Sequence, residues 1–187
     1  SFILEQGASI DKRFYFVSGN ENLFIDKVKN TIIKRYSKRE LINLDTLDQY
    51  DQSVSLFNSQ RIFILEKLPA PNKEFINSVS PEDVFVFAYP NSPKIKNFKN
   101  LLANESDGVV IDCYELSKDD KVKILNKKIN ESNIEINQEL FWELIEKLDN
   151  KYVFLENELE KIFSLRKENL NREDINKIFS NNAVGAE

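Results

Sequence analysis

Histidine and methionine are absent from the 187 residues, cysteine occurs once and glycine only four times. Each shortage removes a class of chemistry. With no His and Cys113 alone, the ligand sets that hold zinc and other transition metals cannot be assembled, and triads built on His are excluded. A carboxylate site for magnesium stays open because 31 residues are acidic, but no pair of them stands out by spacing. A single cysteine cannot form an internal disulfide, which fits a reducing cytoplasm. No apolar run approaches the roughly 18–20 residues that cross a bilayer. No basic segment followed by an apolar one opens the sequence, so no secretory leader is expected. The start at Ser1 and the lack of Met lead us to expect a piece of a longer chain.

What is present is ordinary for a globular core: 41% hydrophobic and 30% charged residues, enough for one or two domains. Net charge is −5, with 14 basic against 16 acidic residues over 1–116 and 12 against 15 over 117–187. A domain that grips duplex DNA through phosphates carries net positive charge or a clear basic face. Lys94, Lys96 and Lys99 form one small basic group, and Lys121, Lys123, Lys127 and Lys128 another. Both read as solvated helix faces at least as well as contact patches. DNA contact is expected to be indirect or weak.

Five short apolar runs alternate with amphipathic segments over residues 1–115. Phe14–Ser18 reads as a buried strand closed by Gly19-Asn20, and Glu21–Tyr36 then takes helical spacing through Phe24, Val28, Ile32 and Tyr36. Leu41–Leu44 is a short strand. Asp45 is placed to cap a helix carrying Leu47, Tyr50, Val54 and Phe57. Arg61–Leu65 and Val84–Tyr89 are continuous apolar runs, as in strands covered on both faces. A helical Lys94–Leu102 precedes the last run, Val109–Tyr114. This alternation predicts an α/β domain with a mainly parallel five-stranded sheet and flanking helices. From residue 116 to 187 the strand signals stop. Ser117-Lys-Asp-Asp120 resembles a capping box, Asn137 and Asn171 are placed as caps, and four helices make a small all-helical domain.

In nucleotide-binding α/β domains the phosphates lie in the loop after the first strand. That loop needs glycines for backbone N–H groups to wrap the phosphates, a Lys for charge and a Ser or Thr for magnesium. Here it reads Ser18-Gly19-Asn20-Glu21-Asn22-Leu23: one glycine, no Lys, and an acidic side chain that repels a polyphosphate. No GxGxxG exists, since the glycines are Gly7, Gly19, Gly108 and Gly185. No cofactor and no catalytic residue are expected.

On a helix through Leu47, Tyr50, Val54 and Phe57, Leu56 falls opposite the apolar stripe, among Asp48, Gln49, Gln52 and Ser59. Such a side chain is either one of the singly exposed leucines every protein tolerates or an anchor for a partner pocket. The helix ends near Asn58-Ser59, where Phe57 can swing outward as well. Cys113, on a core strand, reads as a buried inert thiol, and Trp142 as a boundary residue of the helical core.

Ser53–Leu65 (SVSLFNSQRIFIL) resembles the delta subunit of bacterial DNA polymerase III, in which a small residue, Leu-Phe and a polar turn lead into a core strand. FYFVSGNENLFIDKVKNTI resembles that family's opening strand, Gly-acidic turn and first helix, and LENELEKI (Leu155–Ile162) its helical-domain motif. The order and spacing, covering most of the chain, carry the resemblance more than any single motif. It implies an AAA+-like α/β domain without a working ATP site, followed by a helical lid domain. It implies a non-catalytic clamp-loader subunit that binds the sliding clamp (the beta subunit) and helps open the ring. Leu56 and Phe57 take the place of the family's wedge, with Val54 as the neighbouring apolar contact. Two features depart from the family: Asp149-Asn150 stands where Gly-Asn is frequent, and the collar domain, through which other loader subunits assemble, is not in this sequence. The competing readings are a degenerate P-loop nucleotide-handling protein and a nucleic-acid-binding adaptor using the Lys groups.

Overall fold

The structure, a computed structural model, describes residues 11–51, 60–70, 72–132, 134–165 and 170–183. The chain divides into two compact units, Ser1–Tyr114 and Glu115–Glu187.

In the first unit, the five apolar runs form β1 (Phe14–Gly19), β2 (Glu40–Leu44), β3 (Arg61–Leu65), β4 (Val84–Pro90) and β5 (Gly108–Cys113). All pairings are parallel and the order across the sheet is β2-β3-β4-β1-β5. The sheet bears out the expected class. The reason lies in residue type: β1, β3 and β4 are runs of Phe, Val, Ile and Leu that are nearly all buried, as central parallel strands must be. Edge strand β2 keeps only Leu44 fully buried. On one face Phe14, Phe16, Phe63, Phe85 and Phe87 pack with Ile95, Phe98 and Leu102. The rings of Phe63 and Phe85 stack at 4.9 Å, and Phe87 meets Phe98 edge-on at 4.9 Å. This face is covered by α2 (Lys73–Ser78) and by α3 (Lys96–Ala103) with the 3-10 turn Pro93–Ile95 before it. The other face packs on α1 (Asn22–Arg35) through Phe24, Ile25, Val28 and Ile32, as the fourfold spacing requires.

Two elements differ from the sequence reading. The six-residue α2 was not legible, since only Phe75 and Ile76 turn inward. The helix expected from Asp45 onward is instead a 3-10 turn, Leu47–Gln49, and Tyr50 is extended at φ −71°, ψ 119°. Thr46 stands at its N-cap, and Gln49 Oε1 accepts from the backbone N–H groups of Asp45 (2.7 Å) and Thr46 (3.4 Å). One helical stripe therefore does not run from Leu47 to Phe57, and the helical argument that set Leu56 opposite it loses its basis.

The second unit holds α4 (Lys118–Ser132), α5 (Gln138–Lys147), α6 (Tyr152–Ser164) and α7 (Arg172–Ala183). Among its described residues there is no strand, only an isolated bridge at Glu135. The caps form as the sequence requires. Ser117 Oγ and N–H both donate to Asp120 Oδ2 (2.6 and 3.0 Å), and Asn137 Oδ1 accepts from Leu140 N–H (2.9 Å). Asn171 Oδ1 accepts from Asp174 N–H at 3.0 Å. Within LENELEKI, Leu155, Leu159 and Ile162 enter the core, while Glu158 Oε2 accepts from Asp149 N–H at 2.9 Å and ties down the Asp149-Asn150 turn.

Candidate functional site

Two places in the α/β unit hold the chemistry that the sequence singles out, at opposite ends of the parallel sheet. The first is the carboxyl edge, where open α/β sheets place their ligands. Here β1 runs out at Gly19, with β4 and β5 on either side. A Cβ on Gly19 would overlap the Cys113 carbonyl group and stand 2.9 Å from Cys113 Cα. The glycine is thus accounted for by the close approach of β5. The loop's backbone is also spoken for by the protein itself: Glu21 N–H donates to the Cys113 carbonyl (3.1 Å), and the Gly19 carbonyl accepts from Asn91 N–H (2.7 Å). Glu21 sits at the N-cap of α1 without a side-chain capping bond. An acidic residue thus stands at the N-cap of the helix where a phosphate-binding loop offers N–H groups.

Beside this edge lies an open cavity of about 510 Å³ lined by Asn91, Ser92, Pro93, Lys96, Lys99 and Asn100. Lys99 Nζ is paired there with Asp112 Oδ1 at 2.5 Å. Among the described residues no cluster of three or more acidic or Cys side chains could hold a metal ion. Cys113 is fully buried, and burial pushes its thiol up to about 11. In the second basic group Lys121 is buried and donates to the Leu148 carbonyl at 2.8 Å, so it is not part of a basic surface. Trp142 is exposed on α5, with Lys118 Nζ 5.5 Å from its ring centre.

The second place is the amino edge of the sheet. Val54, Leu56 and Phe57 lie outside the described residues, so their placement rests on the sequence. Their flanks are described. Arg61, the first residue of β3, is buried with Asp83, which precedes β4. Its Nε and Nη2 donate to Asp83 Oδ1 (3.1 Å) and Oδ2 (2.5 Å), the forked geometry in which guanidinium and carboxylate match best. Its Nη1 donates to the Asp51 carbonyl at 3.1 Å. The hydrogen bonds to Asp83 hold the guanidinium above its ordinary pKa. Tyr50 completes the group: its hydroxyl donates to Asp83 Oδ2 (2.8 Å) and accepts from Ser80 N–H (3.0 Å). Its ring lies edge-on to Phe63, Phe75 and Phe85. Gln60 is held too, its carbonyl accepting from Glu40 N–H and its amide donating to Glu82 Oε2, both at 3.0 Å. Sequence reading missed this cluster. Arg61 was read only as the first residue of the apolar run Arg61–Leu65, and nothing in the spacing links it to a carboxylate 22 residues on.

The fold resembles that of the Bacillus subtilis DNA clamp loader delta protein, with a TM-score of 0.64 at 16% identity, over 94% of this chain and 60% of that one. The chain thus spans about 60% of that protein's length. Two Thermotoga maritima structures match at lower scores. The RuvB Holliday junction branch migration motor gives a TM-score of 0.47 at 9% identity, covering 96% of this chain and 64% of that one. Domain III of the replication initiation protein DnaA gives 0.44 at 10% identity, covering 96% and 88%. No protein-family model and no curated protein matches the sequence. What the likeness to the delta protein shows is the fold, an all-parallel five-stranded sheet with flanking helices and helices following it.

Proposed function

We propose that this chain is a clamp-loader delta-type subunit that binds the ring-shaped sliding clamp of the replicative polymerase and helps to open it. The observation that carries the reading is the likeness in fold to a clamp loader delta protein over 94% of the chain. The ordered motifs FYFVSGNENLFIDKVKNTI, SLFNSQRIFIL and LENELEKI point the same way. In this reading Leu56 and Phe57 enter an apolar pocket of the clamp, and Val54 lies beside them. A wedge that fits only the distorted clamp surface shifts the ring toward opening by its differential affinity for the two states. No ATP chemistry by this chain is required. The Gly19–Leu23 loop favours that division, since it lacks a Lys, carries the acidic Glu21, and its one glycine is taken up by the approach of β5. In this reading the other clamp-loader subunits are further partners. Among the described residues no helix is long and apolar enough to cross a membrane, and we place the chain in the cytoplasm with the replication machinery. The test is calorimetric titration of the sliding clamp from the same source into the chain. Saturable binding at micromolar concentration or tighter is expected. No heat of binding at tens of micromolar refutes the reading.

A further inference from the structure

We propose that the outer edge of β2 pairs with the same strand of a second copy of this chain, antiparallel about a twofold axis at Ile42. The proposal is independent of the clamp-binding reading. β2 ends the sheet, and Glu40, Leu41 and Asn43 on it are exposed, Leu41 to 48%. In a parallel ladder alternate residues bond one neighbour. Glu40 N–H donates to the Gln60 carbonyl and the Leu44 carbonyl accepts from Glu66 N–H, both at 3.0 Å, so residues 40, 42 and 44 bond β3. The N–H and carbonyl groups of Leu41 and Asn43 therefore point out of the sheet, a row that a further strand can use.

The strand is complementary to itself. An antiparallel register with Leu41 opposite Asn43 of the second copy uses both outward residues of each chain, and each such pair exchanges both of its hydrogen bonds. This register sets Ile42 opposite itself on one face, at the roughly 4.5 Å Cα separation of a non-hydrogen-bonded pair. On the other face the two Leu41 side chains meet diagonally, within about 7–8 Å. The large apolar side chain that β2 exposes is thereby covered. Charge matches as well. Lys38-Arg39 precedes β2, whereas Asp45 and Asp48 follow it. Antiparallel pairing lays basic beside acidic residues at both ends, and Glu40 falls opposite Leu44. Arg39 is turned to the Glu82 carbonyl, so the exposed Lys38 carries the match to Asp45. The other edge of the sheet does not offer this. The Asp107 and Cys113 carbonyls accept from Phe14 and Glu21 N–H, so β5 turns Val110 and Asp112 outward. The same construction there would bring two Asp112 carboxylates together. Two five-residue strands make an interface below the roughly 1,200 Å² of stable complexes, so a dissociation constant on the order of 100 µM is expected.

Sedimentation equilibrium of the chain from about 20 µM to about 1 mM tests this. The weight-average mass should rise from 21.9 kDa toward twice that value. Leu41→Lys sets two ammonium groups together, and Asn43→Pro removes an N–H that β3 does not use, which an edge strand tolerates. Each should weaken association by about tenfold or more, with the thermal midpoint near the wild type. Lys38→Asp should weaken it too, and adding Asp45→Lys should restore it. A mass that stays at 21.9 kDa up to about 1 mM overturns the proposal. So does association that survives Leu41→Lys and Asn43→Pro, or a charge exchange that restores nothing. Should Asn43→Pro not fold, Leu41→Lys decides.

Discussion

Replacing Gly19 by Ala tests what the one glycine in the loop after β1 is for. In a phosphate cradle a glycine makes room for the ligand, whereas here it makes room for β5. Carbon atoms in contact lie about 3.5–4.0 Å apart, and the added Cβ would stand 2.9 Å from Cys113 Cα and overlap its carbonyl. The carbonyl oxygen lies nearest to that Cβ, closer still, so relief needs a shift of more than ~1 Å between β1 and the edge strand β5. Such a shift carries the Glu21 N–H to Cys113 carbonyl bond from 3.1 Å toward the limit of a hydrogen bond. Overpacking of this kind costs about 1–3 kcal/mol, and the weakened bond adds about 0.5–1.5 kcal/mol. At roughly 2–4 °C per kcal/mol for a chain of this size, the midpoint should fall by about 3–18 °C. Thermal unfolding followed by circular dichroism, without any nucleotide, measures it. Asn20→Ala, at an exposed neighbouring position, should move the midpoint by no more than about 2 °C. A Gly19→Ala midpoint within about 1 °C of the wild type would show that the glycine does not serve strand packing.

The same loop should not bind ATP: calorimetry with magnesium present is expected to give no saturable heat at micromolar nucleotide, and a binding isotherm there would return the nucleotide-handling reading. Cys113 should be slow toward a disulfide reagent at pH 8 in the folded protein and fast after unfolding, because burial holds its thiol neutral. With the folded thiol raised to about 11 from an ordinary 9, the unfolded chain ionises first. The thiol's contribution to stability is complete below about pH 9 and is lost as pH rises toward 11, and Cys113→Ala removes that part of the alkaline loss. Equal labelling of folded and unfolded protein would contradict its burial.

The sheet was legible because β1, β3 and β4 are apolar runs whose burial on two faces leaves no other place for them, and β2 and β5 contain shorter apolar runs at the edges. Three of the four later helices were legible through their caps, since Ser117, Asn137 and Asn171 bond locally and owe nothing to distant residues, and α6 through the spacing of Tyr152, Leu155, Leu159 and Ile162. Where a distant partner decides, spacing misled. Leu47 and Tyr50 have helical spacing, yet Tyr50 turns extended because its hydroxyl is bound by Asp83 and Ser80, 33 and 30 residues away. The Arg61–Asp83 pair was invisible for the same reason, as was the burial of Lys121, whose amine is satisfied by the Leu148 carbonyl. The proposal of Val54, Leu56 and Phe57 as contact residues rests on resemblance to a family, because a binding surface is defined by a partner and not by the chain's own packing.

The central claim is tested most directly by Leu56→Ala, Phe57→Ala, with clamp affinity and thermal midpoint measured on the same preparation. Filling a partner pocket with such a side chain is worth roughly 1.5–3 kcal/mol each. Losing both should weaken binding on the order of a hundred- to ten-thousandfold. The account predicts that loss with the midpoint nearly unchanged. Truncated core side chains would instead cost about 2–5 kcal/mol each in stability. A large fall in midpoint, with clamp affinity preserved in the protein that stays folded, would return both residues to the core and contradict the account.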